Sequence, residues 1–209
     1  RLKWNGSTPV VTKVENFLTS DDPWFRPVDL QQGPDGALYV ADFYNCIIGH
    51  YEVPLTHPKR DRERGRIWRV VYKGEGDKPG PAKTVAPMPD LHKLDAPGLF
   101  AILKHPNLTV RVLATNLLIG KFPKEAATMS SGLLSGELQA APNNKYVHTV
   151  YSQAAHAAWI LMRTTGLSEP IVRKVMAAGG PADVQVHMVK ALGETAKWES
   201  WHFETVRNA

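Results

Sequence analysis

The residues best suited to chemistry gather in and around one stretch, ADFYNCIIGHYEVPLTHPKRDRERGRIWRV, residues 41–70. His50 stands two residues before Glu52. With an unperturbed pKa of about 6.5, a histidine beside a carboxylate could serve as a general base near neutral pH. The pair lacks metal-ligand spacing, and His57-Pro58 reads as a turn. Asp29 lies inside the expected strand PVDLQQ, and Asp42 closes the expected strand ALYVAD. A carboxylate buried at either place needs hydrogen-bonded partners to offset its desolvation, and Arg26 and Arg66 are available to supply them. Two readings stay open for each aspartate: a brace between strands, or a direct ligand or catalytic role. Tyr44 and Asn45 complete the group where the chain leaves ALYVAD.

The elements that would position these residues are strands. VTKVENFL (11–18), PVDLQQ (27–32), ALYVAD (37–42) and RIWRVVYK (66–73) alternate in character, the first imperfectly. GPDG at 33–36 is a tight-turn sequence in which Pro34 pre-sets φ, Asp35 bonds its own backbone and Gly36 takes positive φ. Four short strands in succession predict an antiparallel sheet over 1–75, of the kind that forms one blade of a β-propeller. The 43–65 connection far exceeds what a hairpin needs. Loops of this kind in propellers meet ligands at the mouth of the central channel. A lone blade would leave an apolar face bare and an edge open to aggregation.

A Pro- and Gly-rich linker follows over 76–94, and from about residue 95 the apolar period becomes helical. Helices are expected over 96–106, with Asp95 as N-cap, and over 107–122, 151–166, 168–180 and 182–198. Residues 123–150, rich in Ser, Gly, Ala and Pro, read as an inserted loop plus a poor helix. VRVLATNLL, QAAHAAWIL and VQVHMVKAL share a pattern ending at Leu118, Leu161 and Leu192. Their irregular spacing suits stacked helix pairs of the HEAT type over 95–209, with an irregular bundle as the alternative. The fold class is therefore α+β by segments, a β-blade followed by α-helical repeats. His156 and His187 occupy matching repeat positions, which argues for packing rather than ligation. His148 and His156 are too far apart for an i, i+4 metal pair. Trp159, Trp198 and Trp201 read as core or repeat-edge residues.

Charge and cysteine content narrow the function classes. The net charge is +5, and residues 57–73 alone hold seven Lys or Arg against Asp61 and Glu63. The basic excess is thus one local feature, open to three readings: a solvated loop, a contact for an anion or acidic partner, or a nucleic-acid patch. The interrupting acids and the balanced remainder argue against nucleic acid as a partner. Cys46 is the only cysteine, which excludes an internal disulfide, a multi-Cys zinc site and a C-x-x-C-H haem attachment. A lone thiol of this kind reads as a small buried hydrophobe. No apolar run reaches membrane-spanning length, and no signal-peptide pattern opens the chain. The opening RLKWNGS, without Met, reads as part of a longer protein.

FRPVD (25–29), GPDGALYVADFYN (33–45), IIGH (47–50) and RDRERGRIWRV (60–70) together resemble the last propeller blade of the exported proteins called putative membrane-bound dehydrogenases. That family resembles sugar and sorbosone dehydrogenases that use pyrroloquinoline quinone. Its propeller is followed by HEAT-like helices and often by a c-type cytochrome. The resemblance covers 23–74 specifically and 90–209 loosely. The chain departs from the family pattern at Phe43, where Trp is usual, and at Cys46, where Pro is usual. The resemblance implies a periplasmic or otherwise exported redox parent. Pyrroloquinoline quinone and haem c belong to that parent and no cofactor to this stretch. The implied partners are the remaining blades, a cytochrome c domain and a small sugar or alcohol. No established catalytic residue of the family maps onto these positions. On motif match and loop position, His50 and Asp42 are the catalytic candidates, and Arg26, Asp29, Tyr44, Asn45 and Arg66 the cofactor-binding ones. Two further classes stay open: a non-enzymatic propeller and helical interaction module, and a metal-dependent hydrolase propeller.

Overall fold

The computed structural model describes residues 2–5, 8–11, 15–49, 51–75, 78–79, 88–136, 147–177 and 181–207. The chain divides into two compact units, Arg1–Gly33 with Ala37–Lys73, and Pro34–Gly36 with Gly74–Ala209.

In the first unit, β1 (Leu2–Asn5) and β2 (Thr8–Val11) form a separate antiparallel hairpin. The main sheet has three antiparallel strands in sequential order, β3 (Pro27–Gln32), β4 (Leu38–Asp42) and β5 (Arg66–Val70). The four-strand expectation is corrected at its first member. Residues 15–18 are not strand, 12–14 lie outside the described residues, and the strand at Thr8–Val11 pairs locally with Leu2–Asn5 instead. Closing so short a loop costs little chain entropy, so the local partner wins over a distant one. Gly36 takes φ 79° in the β3–β4 turn, a conformation that glycine enters without steric cost.

Register sets the two faces of this sheet. Leu30, Val40 and Trp68 lie side by side, as do Gln31, Tyr39 and Arg69 on the other face. A bulge between Pro27 and Asp29 shifts the pairing, so that Pro27 opposes Asp42 and Asp29 opposes Ala41. Val40 is closed off at 1% exposure, while Leu30 at 58%, Ile67 at 75% and Trp68 at 42% face outward on the flanking strands. A two-stranded ribbon, β6 (Gly74–Glu75) with β7 (Lys78–Pro79), follows in the linker.

Seven α-helices occupy the second unit among the described residues: α1 (Ala96–Ile102), α2 (Leu108–Lys121), α3 (Pro123–Ser135), α4 (Val147–Thr164), α5 (Glu169–Met176), α6 (Ala182–Leu192) and α7 (Ser200–Arg207). A 3-10 turn, Leu91–Lys93, precedes them. Their starts are chemically marked. Asp95 accepts Gly98 N–H at 2.9 Å, and Asn107 accepts Thr109 N–H at 2.8 Å. Proline occupies the first turn of α1, α3 and α5, where its missing N–H is harmless. Gly166, at φ 84°, ends α4 with its N–H on Leu161 O at 2.7 Å.

The helices alternate between two layers. α2, α4 and α6 pack in series, and α1, α3, α5 and α7 pack in series against them. Ala154, Ala157 and Ala158 let α4 approach its neighbours closely, and Leu118, Leu161 and Leu192 all lie in the buried clusters. Residues 123–150, expected as an inserted loop plus a poor helix, begin with a regular helix, α3, which buries Ala126, Ala127, Ser130 and Leu134. Residues 137–146 lie outside the described residues. Glutamine and lysine side chains tie helix ends together. Gln153 Nε2 donates to Phe100 O at 2.8 Å, Gln185 Nε2 to Val175 O at 3.2 Å and Ala177 O at 3.1 Å, and Lys174 Nζ to Ser135 O. These bonds occupy carbonyls that a helix end leaves open. No helix among the described residues is long and apolar enough to cross a membrane.

Candidate functional site

Asp42 ends β4 at 2% exposure, and the residues around it form the most organised polar cluster of the sheet unit. Its Oδ1 accepts the backbone N–H of Arg26 at 2.8 Å and of Tyr44 at 3.0 Å. Its Oδ2 accepts Arg66 Nε at 2.8 Å and Trp68 Nε1 at 2.9 Å. Burial alone would raise the carboxyl's pKa. The N–H of Arg26, the indole, the N–H of Tyr44 and the guanidinium outweigh that cost and hold it below its ordinary value. With its four acceptor directions engaged, this carboxylate is a brace between strand ends and has no free lone pair for a metal or a proton.

Arg66 reaches Asp42 because the two are register partners on β4 and β5. Its Nη1 also donates to Asp22 Oδ2 at 2.8 Å. Asp22 in turn accepts Trp24 N–H at 2.9 Å, and that bond, followed by Arg66, lowers its pKa. Desolvation would lower the guanidinium's own pKa, but its two carboxylate partners reverse the direction and raise it. The guanidinium carbon lies 4.1 Å from the Tyr44 ring centre and 5.2 Å from that of Trp68, positions that favour cation–π attraction. Trp24 lies against Tyr44 at 5.6 Å, and Phe25 meets Trp68 edge-on at 6.4 Å. Tyr44 itself takes φ 52°, which costs a non-glycine residue on the order of 1 kcal/mol. The N–H it thereby gives Asp42 makes an Asx-type turn at the exit of β4.

The long 43–65 connection is packed by its own side chains. Asn45, at 3% exposure, donates Nδ2 to Asp61 O at 2.9 Å, tying the loop's beginning to its end. Asp61 Oδ1 accepts the N–H groups of Glu63 at 2.8 Å and Arg64 at 2.9 Å. Arg60 donates to the carbonyls of Gly49, of Val53 at 3.0 Å and of Pro54 at 3.2 Å, and Arg62 to that of Leu55. Arg26 adds Nη2 to Cys46 O at 3.3 Å. The basic run is therefore only partly a free charged surface, since Arg60, Arg62 and Arg66 are committed to the molecule's own acceptors.

Of the sequence candidates, Arg26, Asp42, Tyr44 and Arg66 come together in one cluster, and Asn45 braces the adjoining loop. Asp29 stands apart and exposed, bonded locally to Leu30 N–H at 2.9 Å and Gln31 Nε2 at 3.4 Å. Plain alternation is the reason: Asp29 opposes Ala41, the chain neighbour of Asp42, and so lies on the other face of the sheet. His50 lies outside the described residues. Sequence reasoning missed Asp22, Trp24 and Trp68 as members. The signals were Asp22-Pro23-Trp24 as a turn, and Trp68 two places along β5 from Arg66. Among the described residues no group of three His, Cys, Asp or Glu side chains gathers at metal-binding range.

These features define a small antiparallel sheet unit locked by an internal charge and aromatic brace, and the described helices of the second unit form a two-layer array. A family model described as Domain of unknown function (DUF7133) matches residues 3–74, the stretch that holds the brace and its loop. Comparison with curated proteins gives no match, and neither does comparison with solved structures.

Proposed function

We propose that these 209 residues are a supporting, non-catalytic part of a larger exported redox protein similar to quinone-dependent sugar and alcohol dehydrogenases. The three-stranded sheet serves as a blade of a β-propeller, and the helices serve as a HEAT-like scaffold. One observation carries the reading: the sheet buries Val40 while Leu30 and Trp68 on the same face and Ile67 on the other remain exposed, apolar surface on both faces that neighbouring blades of a parent propeller would cover. The alternation of helices between two layers supports the scaffold role. The remaining blades and a cytochrome c domain are the partners on this reading, a small sugar or alcohol the substrate, and the periplasm or another exported compartment the location.

The residues of the brace do not fit a bound quinone. Pyrroloquinoline quinone carries carboxylates that call for free cations, and Arg66 gives Nε to Asp42 and Nη1 to Asp22, which leaves only its buried Nη2 without a partner. Cofactor binding on this reading falls to other parts of the parent, and no reaction step is assigned to this stretch. The saturated Asp42 favours a second reading as well, a non-enzymatic interaction module in which brace and helices only present surfaces. Full-length parent protein, loaded with pyrroloquinoline quinone and assayed for dye reduction with a panel of sugars and alcohols, separates the two. Cofactor binding with substrate-dependent dye reduction is the expected result. Absence of both, in protein that is folded by circular dichroism, leaves the interaction module.

A further inference from the structure

The inner polar contacts of the α2–α4–α6 layer rest on two histidines, and both act as hydrogen-bond acceptors. Arg111 Nε, on α2, donates to His156 Nε2 on α4 at 3.3 Å. Thr115 Oγ1 donates its proton to Arg111 O at 2.9 Å, so the 2.9 Å contact between Thr115 Oγ1 and His156 Nδ1 must take its proton from the ring. The result is a closed circuit: guanidinium to Nε2, Nδ1–H to hydroxyl, hydroxyl to the carbonyl of Arg111. It is complete only with a neutral, Nδ1-protonated imidazole. One layer position further, Trp159 Nε1 on α4 donates to His187 Nδ1 on α6 at 3.1 Å. An indole N–H can only donate, so His187 must also be neutral, with its proton on Nε2.

From these donor directions we propose that the α2–α4–α6 layer carries an acid-sensitive latch, in which protonation of His156 and His187 turns each acceptor nitrogen into a donor facing a donor and releases the layer's polar bridges. The charged surroundings of His156 act in the same direction. His156 faces the Arg111 cation and Thr115 from α2 and His187 from α6. The buried residues of α3, which also packs on α4, are Ala126, Ala127, Ser130 and Leu134, none of them ionisable. His187 has Lys190 and Asp183 on its own helix and Trp159 from α4. The Trp159 ring carries the Arg163 guanidinium at 5.1 Å, itself paired with Glu194. The buried residues of α5, packed on α6, are Val172 and Val175, which are also not ionisable. Burial, then Arg111, then His187 depress the pKa of His156 to about 4, and burial followed by Lys190 lowers that of His187 against the opposing pull of Asp183. Apolar packing in the layer persists through protonation, so the latch loosens side-chain order before helix content.

Nitrogen-detected histidine NMR of the whole chain at about pH 7.5, with near- and far-UV circular dichroism down to about pH 4, tests this. The expected tautomers are opposite, Nδ1–H at His156 and Nε2–H at His187. Near-UV tryptophan signal should be lost on acidification while far-UV helix signal remains. The His156→Gln/His187→Gln double variant, neutral at every pH, should keep its near-UV signal through the same range. Either tautomer reversed, an ordinary titration near pH 6.5 with unchanged tryptophan signal, or a double variant that keeps the wild-type acid transition overturns the proposal. If the double variant lacks native signal at neutral pH, the tautomers and titration of the wild type decide alone.

Discussion

In the helical unit Leu99, Leu103, Leu118, Ile160, Met188 and Leu192 are closed off from solvent. In the sheet unit Ala37 and Val40 are the buried apolar residues among those described, and Leu30, Ile67 and Trp68 face outward. The helices are held as most small domains are, by apolar area removed from water, which is non-directional and large in sum. The sheet unit has little of that area and relies instead on directional bonds converging on Asp42. The difference teaches that the most chemically suggestive residues of this chain are engaged in holding the structure. A carboxylate read from the sequence as a catalytic candidate and a guanidinium read as a cofactor-binding one stabilise a sheet too thin to stabilise itself.

Substitutions that treat the two units alike in chemistry should separate them in effect. Asp42→Ala strands the Trp68 indole and two backbone N–H groups and takes from Arg66 one of its two carboxylates, and should cost about 3–4 kcal/mol, read as loss of protease resistance in the 43–65 loop. An unchanged digestion pattern would mean the brace holds nothing. Leu118→Ala should cost about 3 kcal/mol in urea unfolding of the helical unit, against about 0.5 kcal/mol or less for Leu30→Ala in the sheet. Equal costs would erase the contrast between the units.

Acid should also tell the units apart. His156 has a folded pKa of about 4 against an ordinary 6.5, so the unfolded chain binds more protons between these values. Stability of the helical unit is therefore whole above about pH 6.5 and falls as pH drops toward 4, by on the order of 2 kcal/mol after allowance for partial solvent contact. Asp42 is depressed below 3.8, so its contribution is present above that value and lost only as pH falls through the folded pKa. Unfolding followed at both units from pH 7 to 3 should show the helices weakening first, and the reverse order would contradict the assignment. The smallest effect expected is that of Arg163→Ala. Its pairing with Glu194 at 3.2 Å is exposed on both sides and should be worth a few tenths of a kcal/mol in the same urea assay.

Much of the helical unit was legible because period, caps and stops agree. Asp95 and Gly166 mark ends, and the three closing leucines of the repeat lie buried in the packed core. α3 was hidden because Ser130, Ser131 and Gly132 lower its intrinsic preference, and packing takes the small Ser130 side chain where propensity argues against it. In the sheet, three of four expected strands stand, while the first dissolved into a local hairpin that weak alternation could not foretell. The Asp42–Arg66 pairing was within reach of sequence reading, since both lie at strand ends. Trp68 was signalled only by its place two residues along β5 from Arg66, and Asp22 only by the turn at Asp22-Pro23-Trp24, so neither was joined to Asp42 by pattern alone. Register decided which acid joined the cluster, since Asp29 opposes Ala41 and so faces away from Asp42.

The central claim is that apolar burial holds the helices and the Asp42 brace holds the sheet. Native-state hydrogen exchange of the whole chain, resolved by peptide, measures both at once. Amides of β3, β4 and β5 should exchange at least about tenfold faster than the buried turns of α2, α4 and α6, and Asp42→Asn should accelerate the sheet amides alone. Sheet amides protected as strongly as those of the helices, and indifferent to Asp42→Asn, would contradict the account.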